Sequence, residues 1–171
     1  MAKFKIHPTA VIGDNVIIQD GVEIGPFCII GLEPESFKAR GQNQGVLIME
    51  GTKIHGACTI DGGIDGPTII GKQCYIMKQT HIGHDADLGD KNILAPGARI
   101  GGYVKTGPHC YFGMNSTVHP RVEIGKGVLL GQLSSFIKSS NPWDFSKWAG
   151  SPAGLIGPNT MAKEKCDKDG Y

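Results

Sequence analysis

The chain has 171 residues, with 17 Lys and Arg against 16 Asp and Glu for a formal net charge of +1, and 26 of its residues are glycine. That length fits one domain, and a near-neutral balance with no long basic run gives no footing for nucleic acid or an anionic membrane surface. Neither a run of eighteen apolar residues nor a signal-peptide pattern is present, so no membrane insertion is expected and the cytoplasm is the expected location.

From Ile6 onward an aliphatic residue returns at every sixth position: Ile6, Ile12, Ile18, Ile24 and Ile30. After an insertion come Ile48, Ile54 and Ile60, and after a second one Ile70, Ile76, Ile82, Leu88, Leu94 and Ile100. One polar interruption, Thr106, precedes Phe112, Val118, Ile124, Leu130 and Phe136. Two residues before each of these sits a smaller group, such as Val22, Cys28, Thr52, Ala86 or Ser116, and Asn92 is the only bulky polar one. One residue after, glycine is preferred, as at Gly71, Gly83, Gly89, Gly101, Gly107 and Gly113, which suits a tight corner and suggests positive φ there.

A period of six is neither helix nor ordinary strand. Each hexad reads as a short strand plus a bend, three hexads close a triangular coil, and coils stack as parallel strands about 4.8 Å apart with the aliphatic side chains inside. The fold class is therefore all-β, and the pattern resembles the hexapeptide repeat of left-handed parallel β-helices. About six to seven coils are expected over residues 1–140, with a loop insertion at 31–47. A cap is expected over 141–171, carrying Trp143, Trp148 and several prolines, with Lys163 to Tyr171 as a frayed, charged tail.

Cys28, Cys58, Cys74 and Cys110 all occupy the small inward slot and read as core thiols, while Cys166 falls in the tail. An odd count does not suit a disulfide framework, and no zinc spacing occurs among them. The two breaks in the repeat, one carrying Glu33, Glu35, Lys38 and Arg40 and the other Asp61 to Pro67, are either surface decoration or the walls of a substrate cleft shared with a neighbouring subunit.

The strongest chemical cluster is Thr80-His81-Ile82-Gly83-His84-Asp85. With Ile82 inward, His81 and His84 flank the bend and point out along a corner. Val118 lies 36 residues after Ile82, which puts His119 on the same corner two coils on, about 10 Å along the axis. Gly102 and Tyr103 fall on the coil between.

These residues carry a resemblance. Ile24-Gly25-Pro26-Phe27-Cys28-Ile29, Lys38 with Gly41 after it, Thr59-Ile60, the stretch from Gly66 to Gly71, and His81-Ile82-Gly83-His84-Asp85 followed by Ile93-Leu94-Ala95 are similar to bacterial UDP-N-acetylglucosamine O-acyltransferase, which starts lipid A synthesis. The similarity runs from about Ile6 to Ser135. It implies that His84 is a catalytic base, that Asp85 is the residue following it, and that the Gly102 N–H polarises the thioester carbonyl. It implies substrate-binding roles for His81, His119 and the loop residue Lys38. Three positions depart from the family: Tyr103 stands for a histidine, Ser36 for an aspartate, and Gln132 for a small or unbranched residue that lets a long acyl chain pass. A polar group at Gln132 shortens that groove and favours a short acyl chain. The segment after Asn141 has no counterpart to the family's C-terminal helical domain and reads as a short form. There Trp148-Ala149-Gly150-Ser151-Pro152-Ala153 resembles the closing turn of coenzyme A-dependent hexapeptide acetyltransferases.

The expected chemistry is acyl transfer from an acyl-CoA or acyl carrier protein thioester to a hydroxyl or amine of a sugar nucleotide, with no metal and no cofactor beyond that co-substrate. A parallel homotrimer with sites between subunits is expected. Two rival readings share the fold: a zinc enzyme like the γ-type carbonic anhydrases, whose ligand spacing His81 and His84 do not match, and a non-catalytic binding module.

Overall fold

Parallel strands of two or three residues follow the aliphatic period without exception, from Lys5–Ile6 to Ser135–Phe136 in the computed structural model, which describes residues 4–171. The coil domain expected over 1–140 therefore begins within the described residues at Phe4, and residues 1–3 lie outside them. Every third strand joins the same sheet, giving three faces of a left-handed prism. The first face starts at Lys5–Ile6, the second at Val11–Ile12 and the third at Val16–Ile18. Neighbouring strands pair in register at steps of one coil, as His81 with Thr59 below it and Arg99 above it.

The interior is a stack of the two inward positions of each hexad. Ile30, Ile60, Ile70, Ile82, Leu94, Ile100 and Phe112 are fully enclosed, and so are the small partners Cys28, Cys58, Ala86, Ala98 and Val104. At about 25 cal/mol per Å² of apolar area, this continuous column rather than any local propensity holds strands too short to persist alone. The two polar irregularities satisfy each other. Asn92 is wholly buried and donates from Nδ2 to Thr106 Oγ1, and its Oδ1 accepts the Cys110 N–H at 2.7 Å. The inward thiols donate to carbonyls of the adjacent coil, Cys58 Sγ to Met77 O at 3.0 Å and Cys110 Sγ to Gly125 O at 3.1 Å. Burial pushes the thiols of Cys74 and Cys110 up to about 12, so neither supplies a thiolate nucleophile.

The corners differ from the sequence expectation. Positive φ falls three residues after the aliphatic, at Asp85 (57°), Lys91 (55°), Tyr103 (60°), His109 (59°) and Arg121 (68°). The glycines one residue after it are, apart from Gly31, not left-handed. They are small because successive corners touch. A Cβ on Gly83 would lie 2.8 Å from Gly102 N, and one on Gly107 would lie 2.7 Å from Lys126 N.

The insertions and the cap also differ in detail. The strand Val46–Ile48 begins inside the expected 31–47 insertion, so the loop ends at Gly45. The first face continues past the twenty repeat strands into Ser146–Gly150, which lies parallel on Leu129–Leu130 and makes an eighth rung. That strand then pairs antiparallel with Ala153–Pro158. The expected frayed tail is a helix, Thr160–Asp169, closed by Gly170 in the left-handed conformation. Ala162 and Cys166 on that helix are buried. Asp169 links it to the prism, 2.6 Å from Lys91 Nζ and 2.8 Å from His109 Nε2, and the Tyr171 hydroxyl donates to Asp90. No helix among the described residues is long and apolar enough to cross a membrane.

Candidate functional site

The second corner, where the second face turns into the third, carries His84, Asp85, Gly102, Tyr103 and His119 on successive coils. It is the corner that both insertions cover. Loop 61–67 folds over it and directs three consecutive amides at one carboxylate. The Ile64 N–H donates to Asp85 Oδ2 at 2.8 Å, and the N–H groups of Asp65 and Gly66 donate to Oδ1 at 2.8 and 3.1 Å. Burial alone would raise the Asp85 pKa, but the hydrogen bonds from Ile64, His84, Asp65 and Gly66 outweigh it and hold the carboxyl below the ordinary carboxylate range.

An ionised Asp85 fixes the neighbouring imidazole. His84 Nδ1 lies 2.8 Å from Asp85 Oδ2, and a carboxylate can only accept, so Nδ1 carries a proton and Nε2 is the nitrogen that holds the lone pair in the neutral imidazole. Nε2 stands over the next coil. A Cβ on residue 102 would lie 2.9 Å from it, so glycine at 102 is what allows the close approach. The Gly102 N–H donates to no acceptor among the described residues. The nitrogen that accepts in the neutral imidazole and a free backbone donor therefore meet at one point of the corner.

Tyr103 packs edge-on against His84, with ring centroids 5.1 Å apart and planes at 88°. Its hydroxyl donates to Asp65 Oδ2 at 2.6 Å, a bond that raises the phenol to about 12 and ties loop 61–67 to the coil above. The Arg121 guanidinium lies over the other side of the site, 3.9 Å from the Tyr103 ring centroid. Loop 31–45 brings the remaining wall. It is anchored by buried Ala39 and by Asn43, whose Nδ2 donates to Gly31 O and whose Oδ1 accepts the Gly45 N–H. Ser36 Oγ accepts the Lys38 N–H at 3.3 Å. The resulting cavity, of about 190 Å³, is lined by Ser36, Lys38, Ile64, His84, Gly102, Tyr103, Pro120 and Arg121. A larger groove of about 560 Å³ near the N-terminal end holds none of the sequence-predicted site residues.

The structure thus brings together Ser36, Lys38, His84, Asp85, Gly102 and Tyr103. His81 sits on the adjoining face, its Nδ1 2.8 Å from Thr59 Oγ1. Beside it lies Asp61, whose carboxyl is pushed up by burial and only partly relieved by the neighbouring His81. His119 lies on the same corner one coil beyond Gly102. There Nδ1 donates to Pro120 O at 2.8 Å, which leaves Nε2 as its accepting nitrogen. Gln132 is exposed on a different corner, where the first face meets the second, and within one chain it does not join His84. Asp65 and Arg121 were missing from the sequence reading. Arg121 was accessible by counting, since Asp85, Tyr103 and Arg121 are spaced by one 18-residue coil. Asp65 lies in an insertion and has no register to count. No group of three or more His, Cys, Asp or Glu among the described residues is placed to hold a metal ion.

Comparison with known proteins agrees with this architecture. Residues 67–102 match the family model "Bacterial transferase hexapeptide (six repeats)". The chain is 30% identical over 132 residues to the acyl-[acyl-carrier-protein]–UDP-N-acetylglucosamine O-acyltransferase of Helicobacter pylori (strain Shi470), covering 75% of this chain but 49% of that protein. It thus spans about half the length of that relative. Among solved structures, the UDP-N-acetylglucosamine O-acyltransferase of Moraxella catarrhalis RH4 superposes with a TM-score of 0.76 at 28% identity, covering 97% of this chain and 78% of that one. The corresponding enzyme of Bacteroides fragilis 9343 superposes with a TM-score of 0.89 over 96% of this chain and 64% of that one. At 24% identity the second likeness speaks for the fold alone.

Proposed function

We propose that this chain, a hexapeptide-repeat protein similar to the UDP-N-acetylglucosamine O-acyltransferases, moves an acyl group from a thioester to a hydroxyl or amine of a sugar nucleotide such as UDP-N-acetylglucosamine. The observation that carries this is the pairing of an Asp85-oriented His84, its Nε2 left out of that bond, with the unengaged N–H of Gly102.

In the proposed reaction the acceptor hydroxyl or amine attacks the thioester carbonyl while His84 Nε2 takes its proton. General-base assistance of this kind is worth about 10²–10⁴-fold. The carbonyl oxygen gathers charge in the tetrahedral adduct, and the Gly102 N–H donates to it, a contact worth about 3–4 kcal/mol when lost. The adduct collapses by breaking the carbon–sulfur bond, and the departing thiolate takes back the proton from His84. The acyl group ends on the acceptor, the thiol is free, and no enzyme-bound intermediate forms. Asp85 keeps Nδ1 protonated throughout, so the imidazolium formed midway is stabilised. Ser36, Lys38, Tyr103, His81 and His119 are assigned to holding substrate around that point.

The assembly we propose is a homotrimer. Met114 and Leu133 are exposed apolar residues on adjacent coils of the corner that bears Gln132, with exposed Phe27 on the same corner four coils before Met114, and a cyclic arrangement would bring that corner of one subunit to the site of the next. Gln132 would then limit the acyl groove and favour a short chain. Coenzyme A or acyl carrier protein thioesters are the donors to compare, and the cytoplasm is the proposed location.

The test is free-thiol release from acetyl-CoA, longer acyl-CoA and acyl carrier protein thioesters, with and without a panel of sugar nucleotides, for wild type and His84→Ala. Acceptor-dependent release that falls about 10²–10⁴-fold in the variant is the expected result. Undiminished release in His84→Ala would sink the assignment. Light scattering at micromolar concentration tests the trimer, which a monomer would contradict.

A further inference from the structure

We infer that Arg121 is a specificity-determining residue that, with Lys38, binds a phosphoryl group beside the reacting centre. The inference rests on the acyltransfer reading for what that phosphoryl group belongs to, but not for its binding.

Charge in the cavity is one-sided. Its lining includes two cations, Lys38 and Arg121, and no carboxylate. Asp85, Asp65 and Glu33, acids around it, already accept from other donors. Asp85 accepts from His84 and from three loop amides. Asp65 accepts from the Tyr103 hydroxyl. Glu33 on the covering loop accepts the Gly41 N–H, and Asp61 sits with Glu35 on the His81 side. Among the described residues neither Lys38 nor Arg121 forms an ion pair with a carboxylate. Two cations kept together without a counter-charge are the usual preparation for an anionic ligand.

Geometry selects the kind of anion. The Arg121 guanidinium carbon lies 3.9 Å from the centre of the Tyr103 ring, and that ring is itself held by Asp65 and by its edge contact with His84. A guanidinium held over a ring and unpaired with any carboxylate keeps N–H groups for a ligand, a rigid fork that suits two oxygens of one phosphoryl group. Lys38 adds a mobile point charge from the opposite loop. Arg121 thus contacts the same aromatic ring as the proposed base, and a bound phosphoryl group sits within one residue's reach of the acyl-accepting atom. Two sources have this chemistry, the diphosphate of a nucleotide-linked acceptor and the phosphates of the thioester donor.

Titration calorimetry on the intact protein with UDP, coenzyme A and inorganic pyrophosphate separates them, using wild type, Arg121→Ala and Arg121→Lys. Because Arg121 is exposed, both variants should keep the wild-type circular dichroism and thermal midpoint. We expect Arg121→Ala to weaken pyrophosphate and one of the two larger ligands about ten- to hundredfold, and Arg121→Lys to recover part of that loss. A loss on UDP with a matching rise in acceptor KM identifies the acceptor's diphosphate, and a loss on coenzyme A with a rise in donor KM identifies the donor. Wild type that binds none of the three, or Arg121→Ala that binds all three as tightly as wild type, overturns the inference. If these affinities depend on Arg121 while no pair gives acyl transfer, the phosphoryl site stands and the acyltransferase reading fails.

Discussion

The second and third corners of the prism are built from the same repeat and share one backbone pattern, yet the third carries aspartate caps on backbone N–H groups that the second lacks. At two positions of the third corner the residue two after the aliphatic has its N–H bound by an aspartate one coil up, Lys72 by Asp90 and Lys126 by Asp144, both at 2.8 Å. At the second corner the equivalent of that aspartate above Gly102 is Pro120, which offers no side-chain acceptor. The rest of the backbone is alike. The Lys91 N–H donates to Lys72 O and the Tyr103 N–H to His84 O at the matching positions. Left-handed φ at Asp85, Tyr103 and Arg121 is therefore a property of the coil, shared with Lys91 and His109, and not strain reserved for a site. Stacking of coils leaves the N–H two after the aliphatic without an acceptor at other corners as well, Asp90 beneath Pro108 among them, so what sets Gly102 apart is His84 Nε2 beside it and the cavity that both residues line.

The contrast can be broken from either side. Pro120→Asp copies the third corner onto the second, so its carboxylate should take the Gly102 N–H. Transfer should fall about 10²–10³-fold in kcat, with the thermal midpoint unchanged or higher by calorimetry. Pro120→Asn separates the cap from its charge, which would otherwise also engage Arg121. Retained activity in both would remove Gly102 from the mechanism. At the third corner Gly107→Ala places a methyl where the coil above leaves 2.7 Å to Lys126 N. A loss of about 1–3 kcal/mol in stability is expected from such overpacking, read as a lower denaturation midpoint, with specific activity of the folded fraction retained.

How far the sequence foretold these two corners depends on whether a feature obeys the period. Both inward positions of each coil were legible because burial of Ile82, Leu88 and Ile100 and of their small partners Ala86 and Ala98 repeats without drift. The column of His84, Gly102 and Tyr103 followed from multiples of eighteen. The same count places Gln132, two after Leu130 of the first face, away from His84. The corner glycines misled because glycine serves both positive φ and close approach, and here Gly83 and Gly107 are needed for the second. The insertion contacts were not legible at all. That Ile64, Asp65 and Gly66 direct their amides at Asp85 is fixed by loop geometry, which no repeat encodes. The terminal helix was hidden because only Ala162 and Cys166 on it are buried, too few to make a pattern among its charges.

Capping itself can be weighed at the third corner. Asp90 holds both the Lys72 N–H and the Tyr171 hydroxyl, so Asp90→Ala should cost about 1 kcal/mol and speed hydrogen exchange at the Lys72 amide and in the terminal helix together. Exchange that quickens at only one of the two would show that Asp90 does not couple them.

The smallest effect to seek is one of sign, between two carboxylates at the second corner. Asp85 titrates below its ordinary value, near 3.9, because four hydrogen bonds outweigh its burial. It therefore adds stability at every pH above that ordinary value and loses the contribution as pH falls through its lower folded pKa. Asp61 is raised by burial, so ionising it in the folded state carries a penalty. The penalty is absent at pH below the ordinary value, grows as pH rises towards its folded pKa, and is complete above it. At pH 7 Asp85→Asn should lower the thermal midpoint and Asp61→Asn should raise it. Part of the Asp85→Asn loss is independent of pH, because the new amide cannot accept all four donors. As pH drops below about 4 the gain in Asp61→Asn should vanish first and the pH-dependent part of the Asp85→Asn loss should shrink afterwards. Midpoints are compared at one protein concentration, since subunit association would shift them by mass action. If both variants moved the midpoint in the same direction across this range, opposed environments would not be what distinguishes the buried Asp61 from the loop-held orienting group Asp85.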